Sequence, residues 1–534
     1  MITAASPTCR GPCSQCGSAL SERPLPNGIS VTRYQHFFVC NEAPVGEERA
    51  ELEAVVREGE RYLALLQQRI SLTQNTLESL LKEQNRVAKH VSDSKLVLNP
   101  VRRLPPEILS HIFLSCLLPD TELLQTSDTD ADISLIDSLN MKISPWNLSY
   151  VSSQWRKAVL TTPRLWSYIR LQLCNYEDRK TSLFRLGTIL ERSGTHYLSI
   201  AIESEEDMSD HPVLPMILST SPRWERLFVG LPLSTLCIFN NVSGSLDALR
   251  WLGVCLYEPE PDTNPITMIE AFRFAPQLQE LQLMEWDWAI CFQDLFHFPW
   301  DHLIHAEVHG NNMQALAVVQ RASNLVSGSF SADIDFLSDT PSDLCWHAHL
   351  QVLTVTNSSD SVSECIFELF SRLALPGLLD LRMDFSSTGD DILLPAFTSE
   401  TAPMLQDLHI HVDDSKTLES EMLTSLLICT PLLVSLKLSA TVATDDVFLQ
   451  LGRKREFSRL VPQLRSIDLT GSTFEFEGED VVISEMVASR REAENGSRTF
   501  QTLILDEPLD FADDDFFARW EGLCRDGLDV QYGE

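Results

Sequence analysis

An α/β chain, made of a long N-terminal helix, a short helical module and a repetitive array of parallel strands, is predicted by three observations. A stripe of apolar residues steps by four and three from Leu52 to Val91. Two further amphipathic stretches lie between Leu104 and Ile169. After them one pattern recurs at spacings of 22 to 36 residues: an apolar residue, two variable ones, Leu, one variable, apolar. Repetition also accounts for the length, since 534 residues exceed the ~250 that one hydrophobic core usually serves, whereas an array extends by stacking.

Charge narrows the partners. With 41 Lys and Arg against 76 Asp and Glu, the net charge is −35, a field that repels polyphosphate and anionic lipid. Nucleic acid and membrane surfaces are therefore not expected partners. The N-terminus has no apolar signal-like stretch, and no run approaches the ~18 apolar residues of a membrane span. The expected location is cytoplasmic and/or nuclear. The 13 cysteines are, from Cys40 onward, scattered singly through apolar runs, as reduced core thiols are.

Residues 1–46 carry Pro7, Pro12, Pro24, Pro26 and Pro44 without a sustained period, and read as a disordered leader. Within it Cys13, Cys16, His36 and Cys40 have spacings that a small zinc site uses. Little apolar material flanks them to cover a metal, so free thiols are the expectation, with no metal or cofactor.

The stripe over 47–98 consists of Leu52, Val56, Gly59, Leu63, Leu66, Ile70, Thr73, Leu77, Leu80, Gln84, Val87 and Val91. Its 3.5-residue period is the one that keeps an apolar seam facing a partner along a supercoil. The expectation is a coiled-coil helix over roughly 47 to 92, whose partner is a second copy or another part of the chain.

Asn99-Pro100 ends that helix, and LPPEILSHIF follows, Leu104 to Phe113. Pro105 and Pro106 suit the first turn of a helix, where N–H groups lack partners anyway, and Glu107 suits the positive end of its dipole. Ile108, Leu109, Ile112 and Phe113 make a stripe too large for one short helix to hide. An acidic stretch, Asp120 to Asn140, separates it from WNLSYVSSQWRKAVLTTPRLWSYI, in which Leu148, Val151, Trp155 and Val159 mark one predicted helical face.

The ordered set LPPEILSHIF, VSSQWRKAV and PRLW, within residues 101–170, resembles an F-box in the form found in F-box proteins of mushroom-forming fungi. The acidic insertion makes the module longer than the common form, and Ser152-Ser153 stands where many members carry a Cys and a basic residue. The resemblance implies a substrate receptor that docks on the Skp adaptor of a cullin-RING ubiquitin ligase. On that resemblance Leu104, Pro105, Pro106, Glu107, Ile108, Leu109, Ile112, Phe113, Trp155, Arg156 and Trp166 are expected to bind the adaptor.

Over 190–510 the recurring pattern centres on Leu198, Leu227, Leu252, Leu281, Ala306, Gly328, Leu353, Leu381, Leu408, Leu436, Ile467 and Leu503. A period in the twenties with L-x-x-L-x-L fits a leucine-rich-repeat-like solenoid, one short parallel strand per unit. The missing Asn of the standard repeat marks the array as degenerate. Strand alternation turns Arg382, His409, His411, Lys437 and Asp468 outward while Leu381, Leu408, Leu436 and Ile467 point in. That concave face is the expected site for an unknown protein substrate, with Arg, Lys and His available to an acidic or phosphorylated segment. Trp286 and Trp288 either anchor a partner or cap the apolar ladder. Residues 511–534 read as a solvated acidic segment.

No G-x-x-x-x-G-K, G-x-G-x-x-G, H-E-x-x-H or G-x-S-x-G occurs. His409 and His411 share a strand face, as metal ligands can, yet need a third ligand such as Asp384 or Asp468. The expected function is therefore non-catalytic: an adaptor raises the local concentration of its substrate at a remote active site, or the solenoid is a scaffold with no ligase.

Overall fold

The computed structural model describes residues 35–117, 137–176, 179–256, 268–285, 292–332, 344–357, 364–385, 392, 394–395, 401–413, 416–452, 460–476, 478–491, 500–509 and 514–533. Two compact units divide the chain, residues 1–104 and residues 105–534. Cys13, Cys16, Trp286, Trp288 and most of the acidic insertion lie outside the described residues.

The first unit contains a 3-10 turn, Gln35–Phe38, and one helix of 51 residues, Glu47–Val97. The helix runs on because Glu, Gln, Arg, Lys, Ala and Leu dominate it and no proline interrupts it. It stops at Asn99, whose Oδ1 accepts the Val101 N–H at 3.0 Å, and Pro100 forbids continuation. No residue of the helix is buried.

Among the described residues, the second unit is dominated by a parallel sheet of fourteen strands that follow one another in chain order. Sequence order equalling spatial order is what a solenoid requires, because each unit then buries its apolar edge only against its neighbours. Register shows why the pattern repeats. Leu227, Leu252, Leu281, Ala306, Gly328, Leu353, Leu381, Leu408, Leu436, Ile467 and Leu503 are successive Cα partners across the sheet. The first leucine of each motif forms a second buried ladder, including Leu278, Leu303, Leu325, Leu350, Leu378, Leu405, Leu433 and Leu464. One carbonyl accepts two consecutive N–H groups at the start of strand after strand. Leu379 and Asp380 donate to Gln351, Gln406 and Asp407 to Leu379, and Val434 and Ser435 to Gln406. This shared acceptor recurs at each strand from Glu280–Glu285 to Thr502–Leu505 and sets each one step from its predecessor.

Three sequence expectations change. Leu198 is not the centre of its unit: a register shift between Leu198 and Ser199 makes Ile200 the partner of Leu227. The sheet also exceeds 190–510, beginning at Tyr168–Gln172 and ending at Asp529–Tyr532. The acidic C-terminal segment thus holds a helix, Asp514–Arg525, and the last strand, paired through Leu503 and Val530. Finally, Leu148–Val151 and Ser153–Leu160 are two helices. Ser152 leaves helical geometry (φ −158°, ψ 167°) and its hydroxyl accepts the Trp155 N–H, capping the second helix.

Candidate functional site

The open part of the sheet is one face of its later strands. From His305–His309 to Thr502–Leu505 the strands alternate half-exposed and buried residues, while the strands Tyr168–Gln172, Leu198–Glu203, Trp224–Leu231 and Trp251–Leu256 are buried on nearly every residue. Four predicted site residues meet in one row there. Arg382, His409, Lys437 and Asp468 are consecutive register partners on four neighbouring strands, which spaces them at about 4.8 Å per strand. His411 lies in the next row, between Asp384 and Ser439.

Both cations of the row already have partners. Lys437 Nζ lies 3.0 Å from Asp468 Oδ2, and Arg382 Nη2 lies 3.1 Å from Asp380 Oδ2. Asp468 Oδ1 also accepts the Thr470 N–H at 3.0 Å and the Thr470 hydroxyl at 2.6 Å. Burial works to raise the Asp468 carboxyl, but Thr470 and the Lys437 ammonium outweigh it and hold the carboxyl below its ordinary value. His409 is held below the usual imidazole range by burial first, then by Lys437, Arg382 and His411. Asp407 is pushed up by burial and by neighbouring Asp380. Three carboxylates, Asp380, Asp407 and Asp468, therefore lie beside two cations. This arrangement offers directional hydrogen bonding across a row, with an anion admitted only by displacing an internal ion pair. Among the described residues no group of three or more His, Cys, Asp and Glu is placed to hold a metal ion.

Pro106–Ser115 splits its apolar stripe between two environments. Leu109 and Phe113 are fully buried, and the Phe113 ring sits 4.8 Å from that of Trp155. Ile108 and Ile112 remain 45% and 43% exposed. Pro105, Pro106, Glu107 and Arg156 are exposed, and Leu104 and Trp155 are half-buried. Trp166 is buried, its Nε1–H donating to the Val159 carbonyl at 3.0 Å. Leu109, Phe113 and Trp166 thus lie in the interior of the module and hold it together, leaving Ile108 and Ile112 as the exposed part of the predicted docking stripe.

The same module closes the first edge of the sheet. Ser138 N–H donates to the Arg170 carbonyl at 2.9 Å, and the Arg170 N–H donates to Ser138 Oγ at 2.9 Å. Trp146 donates to the Ser138 carbonyl and meets Trp166 edge-on at 5.0 Å, with the Arg192 guanidinium 5.0 and 4.5 Å from the two rings. Burial lowers the Arg192 pKa.

Sequence reading missed a buried polar group on the first two strands. Arg170 Nη2 lies 2.9 Å from Glu203 Oε1, and Gln172 Nε2 donates to Glu203 Oε2. Burial raises the Glu203 carboxyl against the pull of Arg170 and Gln172. The alternation Tyr-Ile-Arg-Leu-Gln is the signal that would have placed Arg170 and Gln172 on one strand face.

No family model matches the chain, and no curated protein matches it. Among solved structures, the Toll–Spätzle complex of Drosophila development and innate immunity is similar with a TM-score of 0.31 and 13% identity, over 66% of this chain and 48% of that one. The chain spans about half the length of that neighbour, and its fold rests on its own strand register.

Proposed function

We propose that the chain is an F-box substrate receptor: the module at 101–170 docks on the Skp adaptor of a cullin-RING ligase, and the concave face of a degenerate leucine-rich-repeat solenoid holds a protein substrate. The observation that carries this reading is the divided stripe of Pro106–Ser115, where Ile108 and Ile112, one helical turn apart, stay exposed after Leu109 and Phe113 have been packed. A second support is the row Arg382, His409, Lys437 and Asp468, which presents polar side chains from a rigid sheet. The chain contributes proximity, with the chemistry done elsewhere in the assembly.

The test is capture of the adaptor by the intact chain, compared with an Ile108→Asp, Ile112→Asp variant. Capture by the wild type and its loss in the variant support the reading; equal capture, or none by either, refutes it. A scaffold without ligase association is favoured by one observation, the use of the module as the cap of the first strand, and would give no adaptor with a substrate still bound.

A further inference from the structure

We infer that the Glu47–Val97 helix pairs with the same helix of a second copy, antiparallel, in a register that sets Leu66 opposite Leu77. This inference stands independently of ligase association.

The helix is long, roughly 75 Å at 1.5 Å per residue, and buries none of its seam: Leu63 and Leu80 are each 62% exposed, and Leu52, Gly59 and Leu66 are half-buried. A 3.5-residue period is wasted on a straight helix lying against a sheet, because only a supercoiling helical partner follows it. Nine of the twelve seam positions are apolar. At roughly 60–120 Å2 each, the area implied by the transfer energies of such side chains, they supply about the ~800 Å2 per partner of a stable interface.

Orientation follows from how the layers match. In a parallel pair Gly59 would face Gly59 and Gln84 would face Gln84, leaving one hole and one crowded polar layer. Antiparallel, with facing positions such as Leu66 and Leu77, the layers become Leu52 with Val91, Val56 with Val87, Gly59 with Gln84, Leu63 with Leu80, and Ile70 with Thr73. Each large apolar residue then meets another or a Thr, and the long Gln84 covers the bare Gly59. Charge agrees. Residues 47–71 carry six carboxylates and four bases, residues 72–97 three and four. Antiparallel pairing sets the acidic half beside the basic half and opposes the two helix dipoles.

The test uses the full chain. Sedimentation equilibrium is expected to give a dimer at micromolar concentration, and Leu66→Asp to weaken it at least tenfold while the melting transition of the sheet is retained. A photo-reactive benzoylphenylalanine at position 87 is expected to form covalent dimers whose adduct maps to the peptide around Val56, a site about 46 Å away along its own helix. Any of four results overturns the inference: a monomer throughout, a dimer indifferent to Leu66→Asp, adducts around Val87 of the other copy, or a tetramer, which would use a different seam.

Discussion

Phe113 and Trp155 meet at a ring-centroid distance of 4.8 Å with planes tilted by 56°, joining the first helix of the module to its Trp-bearing partner. The geometry is one that aromatic pairs favour, and it leaves one face of each helix committed inward. Phe113→Ala is expected to cost about 3–5 kcal/mol by removing a fully buried ring, read as a fall in urea midpoint. Ile108→Ser, on the exposed side, is expected to change stability by no more than ~0.5 kcal/mol. The two variants separate folding of the module from docking.

Arg170 and Glu203 are both almost fully buried and bonded to one another. Arg170→Met strands a buried carboxylate, and a loss of about 3–5 kcal/mol is expected. Adding Glu203→Leu is expected to recover most of that loss, because the apolar pair carries no desolvation cost. A double-mutant cycle in urea checks it; a double variant as unstable as the single one would show that the pair acts through shape.

Acid should weaken the later strands through Asp468. Its folded carboxyl lies below the ordinary value of 3.8, so its contribution is complete above that value and lost as pH falls through the lower folded one. Asp468→Asn is expected to lower the melting temperature at pH 7, where the contribution is fully present, and to flatten its fall below about pH 4. An unchanged acid limb would remove Asp468 from the account.

Arg382→Ala, His409→Ala and Lys437→Ala together are expected to abolish substrate capture while leaving adaptor capture intact. Stability should move by no more than about 1 kcal/mol per ion pair, since Arg382 and Lys437 are partly solvated. Co-purification and urea denaturation of one preparation read both quantities.

Gly253 has no room for a side chain: a Cβ there would lie 2.6 Å from the Phe228 ring and 2.6 Å from the Trp251 ring. Gly253→Ala is expected to cost about 1–3 kcal/mol. Gly187, in the Arg179–Arg192 helix with open space around its Cβ position, should gain about 0.5–1 kcal/mol as Ala. Thermal melts of the two variants should move in opposite directions.

Much of this fold is legible in residue spacing, because L-x-x-L-x-L prints the register directly: ten steps between sequence centres, from Leu227 to Leu503, are steps between neighbouring strands. The terminal strands escaped that pattern. Asp529–Tyr532 has little apolar alternation to signal it, and Tyr168–Gln172 alternates with Arg and Gln because its outward side is roofed. Leu148, Val151, Trp155 and Val159 were read as one helical face, whereas the helix breaks at Ser152, whose capping bond needs only a local change of φ and ψ that periodicity does not register. The row of outward residues was legible; its ion pairs were not, since Lys437 and Asp468 are 31 residues apart and pairing depends on rotamers. Burial of Leu109, Phe113 and Trp166 was likewise beyond a motif, which records residue types without saying which face has company.

The order of strands has a consequence for how such a molecule can change through descent. Since, among the described residues, the strands of the sheet pair with the one before and the one after, excising or duplicating a whole unit leaves two compatible edges to rejoin. The sheet surface would widen or shrink by about 4.8 Å per event, and side chains on either side would keep their neighbours. Partner range could therefore be revised by whole-unit gain and loss, while the helical cap at Ser138 stays fixed as the zero mark of a ruler whose length is adjustable.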